Sequence, residues 1–151
     1  MLSDDEKALL KTLSQNTGMP FTLHLGIFLK GELIGWSYGW QESAEKYYMC
    51  NTAILKEHRR KGIYTALLPE VLKILKDKGF QIAYSRHAAT NNDIIIPKLK
   101  AGFVISGMEI SDKFGTLVHL SYFFNNIRRR MIDFRSGQST LDEDLRKFLK
   151  L

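Results

Sequence analysis

The chain has 151 residues, 44% of them hydrophobic and 25% charged, and a net charge of +6. That length fits one domain over residues 1–151 with a real core, and the balance is that of a globular chain, not a disordered or fibrous one. A single cysteine, Cys50, excludes an intrachain disulfide, the acidic start MLSDDEKALL lacks a signal-peptide layout, and no apolar run approaches the ~20 residues of a membrane span, so a soluble protein of a reducing, cytoplasmic compartment is expected.

The first predicted element is a helix over Ser3–Gln15. Ser3 and Glu6 have capping-box spacing, and Asn16-Thr17-Gly18 ends it. Residues Phe21–Leu29 and Leu33–Gln41 read as two strands around a Lys30-Gly31-Glu32 hairpin turn. In the second strand Trp36, Tyr38 and Trp40 share one face, which reads first as core and second as a substrate wall. Gly35 and Gly39 lie on the other face, where glycine marks a bulge or a close backbone approach. The next strand is Tyr47–Leu55, with Tyr48, Cys50 and Thr52 on one face and Met49, Asn51 and Ala53 on the other. Cys50 reads as a small buried hydrophobe.

A basic turn, Glu57-His58-Arg59-Arg60-Lys61-Gly62, then opens a helix running to Lys78. Apolar residues at 63, 67, 68, 71, 72 and 75 give it one buried face, and Pro69 should kink it. The first amides of such a helix have no partner within it and favour a phosphate, which Gly62, lacking a Cβ, lets approach. Phe80–Arg86 is a strand, and a crossover of this length makes it parallel to Tyr47–Leu55. Asn91 or Asn92 caps a short helix bearing Pro97 and ended by Gly102. Phe103–Ile110 and Thr116–Phe124 pair as a last hairpin. A basic segment, NNIRRRMIDF, has no clear assignment, and Thr140 with Glu143 suggests a second capping box before a closing helix. The order gives a mixed α/β sheet with flanking helices.

Two local patterns carry a resemblance to a known family. The first is an apolar strand end, an acidic residue, then R/Q-x-x-G-x-G/A at a helix start; Ile54, Glu57, Arg59, Gly62 and Tyr64 fall in those places. The second is an asparagine eleven positions before Gly-Phe, here Asn91 before Gly102-Phe103. With the order of elements, these resemble the GNAT superfamily of acyl-CoA N-acyltransferases over roughly Phe21–Phe124. The resemblance implies a GNAT-like fold: a central, mostly antiparallel sheet with one splayed parallel strand pair and flanking helices.

It also implies acetyl-CoA as co-substrate and direct transfer of the acetyl group to a primary amine, on a small molecule or a peptide. Arg59, Arg60, Lys61, Gly62, Ile63, Tyr64 and Thr65 would hold the diphosphate of coenzyme A. The backbone at Ile54 and Leu55 would meet the pantetheine arm and polarise the acyl carbonyl, with Asn91 touching the arm. Two positions depart from the family pattern. Tyr64 stands where a small residue is usual, and its ring must point away from the diphosphate. Lys98 stands where many members have a tyrosine that protonates the departing thiolate, and it can serve only with a lowered pKa.

No carboxylate lies on the strand before the basic loop, so the candidate bases are His87 and Tyr48. Asn51, Ser85 and Asn92 are candidates to orient a water. The scattered His24, His58 and His119 show no metal-ligand spacing, and no metal is expected. The positive charge and Arg128-Arg129-Arg130 keep a nucleic-acid-binding module open as a reading from another class, and Tyr64 and Lys98 keep open a degenerate CoA-binding protein. The acceptor's identity and whether two chains pair as a homodimer stay open.

Overall fold

The computed structural model describes residues 18–151, so the predicted helix Ser3–Gln15 lies outside the described residues. In chain order the elements are β1 (Thr22–Leu29), β2 (Glu32–Gln41), β3 (Lys46–Ile54), a 3₁₀ turn (Lys56–His58), α1 (Ile63–Asp77), β4 (Ile82–Ala88), α2 (Asn92–Lys100), β5 (Val104–Ser111), β6 (Gly115–Phe123), α3 (Asn126–Arg135) and α4 (Glu143–Leu149). The six strands form one sheet in the order β1-β2-β3-β4-β6-β5. Every pairing is antiparallel except β3 with β4. This is the mixed α/β sheet expected.

The core lies on one face of that sheet. Leu68, Val71, Leu72 and Leu75, the buried stripe of α1, pack with Ile95 of α2, Phe103, and Tyr47, Met49, Ala83 and Leu120 of the sheet. The helical period of α1 is therefore the period of its burial, and the helix runs through Pro69 as one element. The β1–β2 turn takes left-handed backbone at Lys30 and Gly31 (φ 49° and 87°), the geometry that fits a two-residue hairpin to the twist of its strands.

The opposite face differs from expectation. Trp36 and Tyr38 are not core: they are 42% and 36% exposed, and the buried residues of β2 are Ile34, Gly35, Ser37 and Gly39. The stripe lies on the sheet face away from α1.

The β2–β3 register explains a second difference. Trp40 faces Tyr48, but Tyr38 faces Asn51, so β3 advances three residues while β2 advances two. The inserted residue is a β-bulge at Met49–Cys50. Beyond it the alternation changes phase. Asn51 accepts from the Trp36 indole (3.1 Å) and Cys50 Sγ donates to the Tyr38 hydroxyl (3.5 Å), whereas Thr52 pairs with Ser37 on the other face (2.9 Å). The predicted grouping of Asn51 with Met49 and of Thr52 with Cys50 is thus reversed. Gly39 is required here: a Cβ would stand 2.1 Å from the Tyr48 carbonyl oxygen.

At the C-terminal end NNIRRRMIDF forms α3, capped by the Asn125 side chain. Its arginines meet acids: Arg128 binds Glu45 (2.8 Å), Arg129 pairs with Asp133, and Arg130 pairs with Asp142 and Asp144. The cap of α4 is Asp142, whose Oδ1 accepts from Leu145 N–H at 3.0 Å, and not the predicted Thr140. Among the described residues no helix is long and apolar enough to cross a membrane.

Candidate active site

The site starts where β3 and β4 part. They pair only at Lys46–Ile82, Tyr47–Ala83 and Tyr48–Tyr84, yet β3 continues to Ile54 and β4 to Ala88. The β3 bulge begins at the residue after the last of these rungs, and a bulge bends its strand. Here β3 bends along β2 while β4 stays paired with β6 from Ile82 to Ala88. A cleft of about 550 Å³ is bordered by both separated segments, with Met49–Thr52 on one side and Arg86–Ala88 on the other.

Backbone groups on the open edge of β3 follow from its pairing. Leu55 N–H donates to the Ile34 carbonyl at 2.9 Å, so it points toward β2 and is not free to polarise a ligand carbonyl as expected. Alternation along the strand turns the N–H and C=O of Thr52 and Ile54 toward the gap. The Ile54 carbonyl accepts from Arg59 Nε at 2.7 Å, which ties the basic loop back to the strand end.

That loop leads into α1, whose N-terminus is bare. Gly62 is the N-cap with φ 76°, and no side chain caps the helix. The first intrahelical bond is Ala66 N–H to the Gly62 carbonyl (3.0 Å), which leaves the preceding amides without helical acceptors. A Cβ built on Gly62 would meet nothing within 4 Å, so the space beside these amides is open. Arg60 also takes left-handed backbone (φ 59°), costly for a residue with a Cβ, so the tight loop is held there by its surroundings.

A second cleft, about 570 Å³, lies over this end. Eight of the ten predicted cofactor-binding positions border it: Ile54, Arg59, Arg60, Gly62, Ile63, Tyr64, Thr65 and, from the other side, Asn91. Leu55 and Lys61 do not. Thr52, Tyr64, Asn91 and Ile94 border both clefts, so the two meet at these residues. The Tyr64 ring is in the shared wall, packed against the core, and burial pushes its phenol pKa up.

The candidate bases stand on opposite sheet faces at the first cleft. Tyr48 is buried on the aromatic face, edge-on to Trp40 (5.0 Å), with the Arg86 guanidinium 4.9 Å over its ring. His87 belongs to β4, which runs further than predicted, and lies on the helix-covered face with Ser85. Its Nε2 is 2.8 Å from Ser85 Oγ. Burial, then the nearby Lys98 charge, lowers its pKa to about 4, so the imidazole is neutral at pH 7. Cys50 is half-buried and borders the cleft, more open than expected.

Two cleft residues, Arg86 and Glu109, were not singled out from sequence, and Lys98 was named there only as a departure from the family pattern. Lys98 on α2 is 2% exposed, and its Nζ donates to Ser85 Oγ at 2.5 Å. Burial lowers its pKa to about 7. On the aromatic face Arg86 of β4 pairs with Glu109 of β5 at 3.2 Å. His119 of β6, lying between those strands, bonds the same carboxylate at 3.0 Å, and these two partners hold the Glu109 pKa below its usual value.

The model of the acetyltransferase (GNAT) family matches residues 3–103, two thirds of the chain. The chain belongs to the GNAT family. Among solved structures it is similar to a GNAT acetyltransferase from Elizabethkingia anophelis with acetyl-CoA bound (TM-score 0.65, 15% identity, 81% of this chain and 86% of that one). A Bacillus subtilis acetyltransferase in complex with CoA is similar over the same shares (TM-score 0.63, 13% identity). The ribosomal-protein-S18-alanine N-acetyltransferase of Escherichia coli covers 76% of each chain (TM-score 0.62, 18% identity). At these identities the likeness is one of fold. No curated protein matches the chain in sequence.

Within this GNAT chain the two departures from pattern have definite places. Tyr64 forms wall between the clefts and leaves the Gly62 amides uncovered. Lys98 lies at the first cleft beside Ser85 and His87.

Proposed function

We propose that the protein transfers an acyl group, acetyl in the simplest case, from acyl-CoA to a primary amine by direct attack. The observation that carries this reading is the parting of β3 from β4 after three rungs, beside an uncapped helix start with open space at Gly62. The residues fit coenzyme A. Amides at the start of α1, with Arg59 and Arg60 around them, suit a diphosphate. The open-edge N–H groups of Thr52 and Ile54 and the Thr52 C=O suit the amides of a pantetheine arm, which would take the place of a missing strand. Asn91 borders both clefts, which supports a contact with that arm.

In this reading the thioester carbonyl is polarised by an open-edge amide of β3 and attacked by a neutral amine. Of the candidate bases, Tyr48 faces the aromatic wall of Tyr38 and Trp40, and neutral His87 faces the helix side. Lys98 takes the role of the missing tyrosine: with its pKa near 7, the ammonium can release a proton to the departing thiolate. The acceptor is a small-molecule or peptide amine, entering past Tyr38, Arg86 and Glu109.

The nucleic-acid reading keeps the net charge of +6 but loses the arginine triplet as support, since Arg128, Arg129 and Arg130 are each engaged by acidic side chains. Calorimetry with acetyl-CoA and CoA, followed by thiol release over an amine library, tests the proposal. Saturable binding with acceptor-dependent thiol release is expected. Binding without release from any amine would leave a CoA-binding protein, and absence of binding would remove the reading.

A further inference from the structure

Lys98 is an amine buried at the cleft. Among the described residues no carboxylate pairs with it, and its neighbours are Ser85 Oγ (2.5 Å), Met49 Sδ (3.8 Å) and the Phe103 ring (4.7 Å). An ammonium buried among a hydroxyl, a thioether and an aromatic ring is poorly solvated. The hydrogen bonds also accommodate the neutral amine. Lys98 Nζ donates to Ser85 Oγ, which leaves the Ser85 hydroxyl proton available to His87 Nε2 in the Nδ1–H tautomer of the neutral ring. A neutral Lys98 makes that bond with one N–H and keeps its lone pair. Lys98 also borders the cleft between the separated strands.

Resting on the function proposed above, we infer that Lys98 is itself an acyl acceptor: with acyl-CoA bound and no amine substrate present, its Nζ takes the acyl group. The nitrogen lone pair forms a C–N bond to the thioester carbonyl carbon, the C–S bond breaks, and the electron pair leaves on sulfur. The proton shed by nitrogen goes to that thiolate. The products are Nε-acyl-Lys98 and the free CoA thiol, and no oxidant, reductant or further reactant is consumed. Holding amine and thioester in one cleft makes the step intramolecular, worth a high effective concentration. The product amide keeps an N–H for Ser85 and removes the buried charge. It also removes the proton donor for the leaving thiolate, so self-acylation silences an enzyme left with donor and no acceptor.

The full chain is incubated with acetyl-CoA, with and without an amine acceptor, while calorimetry on the same sample follows binding. Without acceptor, intact mass should rise by one acetyl group toward one per chain, peptide mapping should place it on Lys98, and subsequent thiol-release activity should fall in step. Saturating acceptor should slow the gain. Lys98→Tyr should bind acetyl-CoA and show no acetyl group at this position after the same incubation. Bound acetyl-CoA with Lys98 unmodified, or acetyl groups confined to surface lysines, overturns the inference and leaves the proposed function standing. Failure to bind acetyl-CoA overturns both. The wild-type mass and binding measurements decide this whether or not the variant folds.

Discussion

The Arg59 guanidinium reaches back five residues to the Ile54 carbonyl, Nε to O 2.7 Å, and so fixes the basic loop against the end of the strand that borders the gap. The bond joins the two parts of the site, an open strand edge and a bare helix start. Arg59→Ala should weaken CoA binding about tenfold or more, the usual worth of a hydrogen bond to a charged group. The melting temperature should change little, because the bond is on the surface. Calorimetry beside a thermal melt separates the two effects; a large fall in melting temperature with unchanged affinity would contradict this account.

Gly62 supports a second prediction. Its φ of 76° and the open space at its Cβ position separate two costs. Gly62→Ala should cost about 1 kcal/mol of stability through the left-handed backbone alone. It should reduce CoA affinity modestly. Gly62→Glu adds bulk and a negative charge beside the proposed diphosphate position and should abolish CoA binding while the fold survives. Retained affinity in Gly62→Glu would count against placing the diphosphate there.

Gly39 is needed for packing. A Cβ there would lie 2.1 Å from the Tyr48 carbonyl oxygen and 2.7 Å from the Tyr47 hydroxyl. Gly39→Ala must shift β3 at its bulge. It should destabilise the protein by several kcal/mol, in the range of severe backbone and overpacking clashes. Chemical denaturation measures this, and a loss below about 1 kcal/mol would show that the bulge yields more easily than its geometry implies.

These features differ in how far the sequence revealed them. The strand–turn–helix around Gly62 was legible, because the helical period of α1 and the turn glycine are local signals. The bulge was not. Counting by twos along β3 assumes no inserted residue, so Asn51 and Thr52 were assigned to the wrong faces, although Gly39 on the partner strand was a partial signal. Lys98 gave no sign of burial, since a lysine beside Pro97 in a short helix is by default solvated. Arg86, Glu109 and His119 meet across three strands in the order β4-β6-β5, and that juxtaposition depends on non-local register.

Lys98 and His87 give a dependence of stability on pH with a definite sign. Both have folded pKa values below their ordinary ones, about 7 for Lys98 and about 4 for His87. The unfolded chain therefore binds more protons than the folded one over two windows, and stability rises with pH through each. For His87 the window runs from about 4 up to the usual ~6.5, and for Lys98 from about 7 up to the usual ~10.4. Lys98→Met should be more stable than wild type at pH 7 and below, by up to a few kcal/mol, and should lack the upper rise. Denaturation at pH 6, 7, 8 and 9 checks this; parallel curves for the two proteins would show that Lys98 titrates normally.

The three-rung contact between β3 and β4 also bears on cohesion. The sheet consists of two well-laced blocks, β1-β2-β3 and β4-β6-β5, fastened along that seam by a short zipper and by the core beneath it. A guest that bonds to both banks of the seam adds fasteners where the chain itself supplies none. Occupancy should therefore register as mechanical and thermal toughness of the whole molecule, increasing with the logarithm of guest concentration once the guest is in excess.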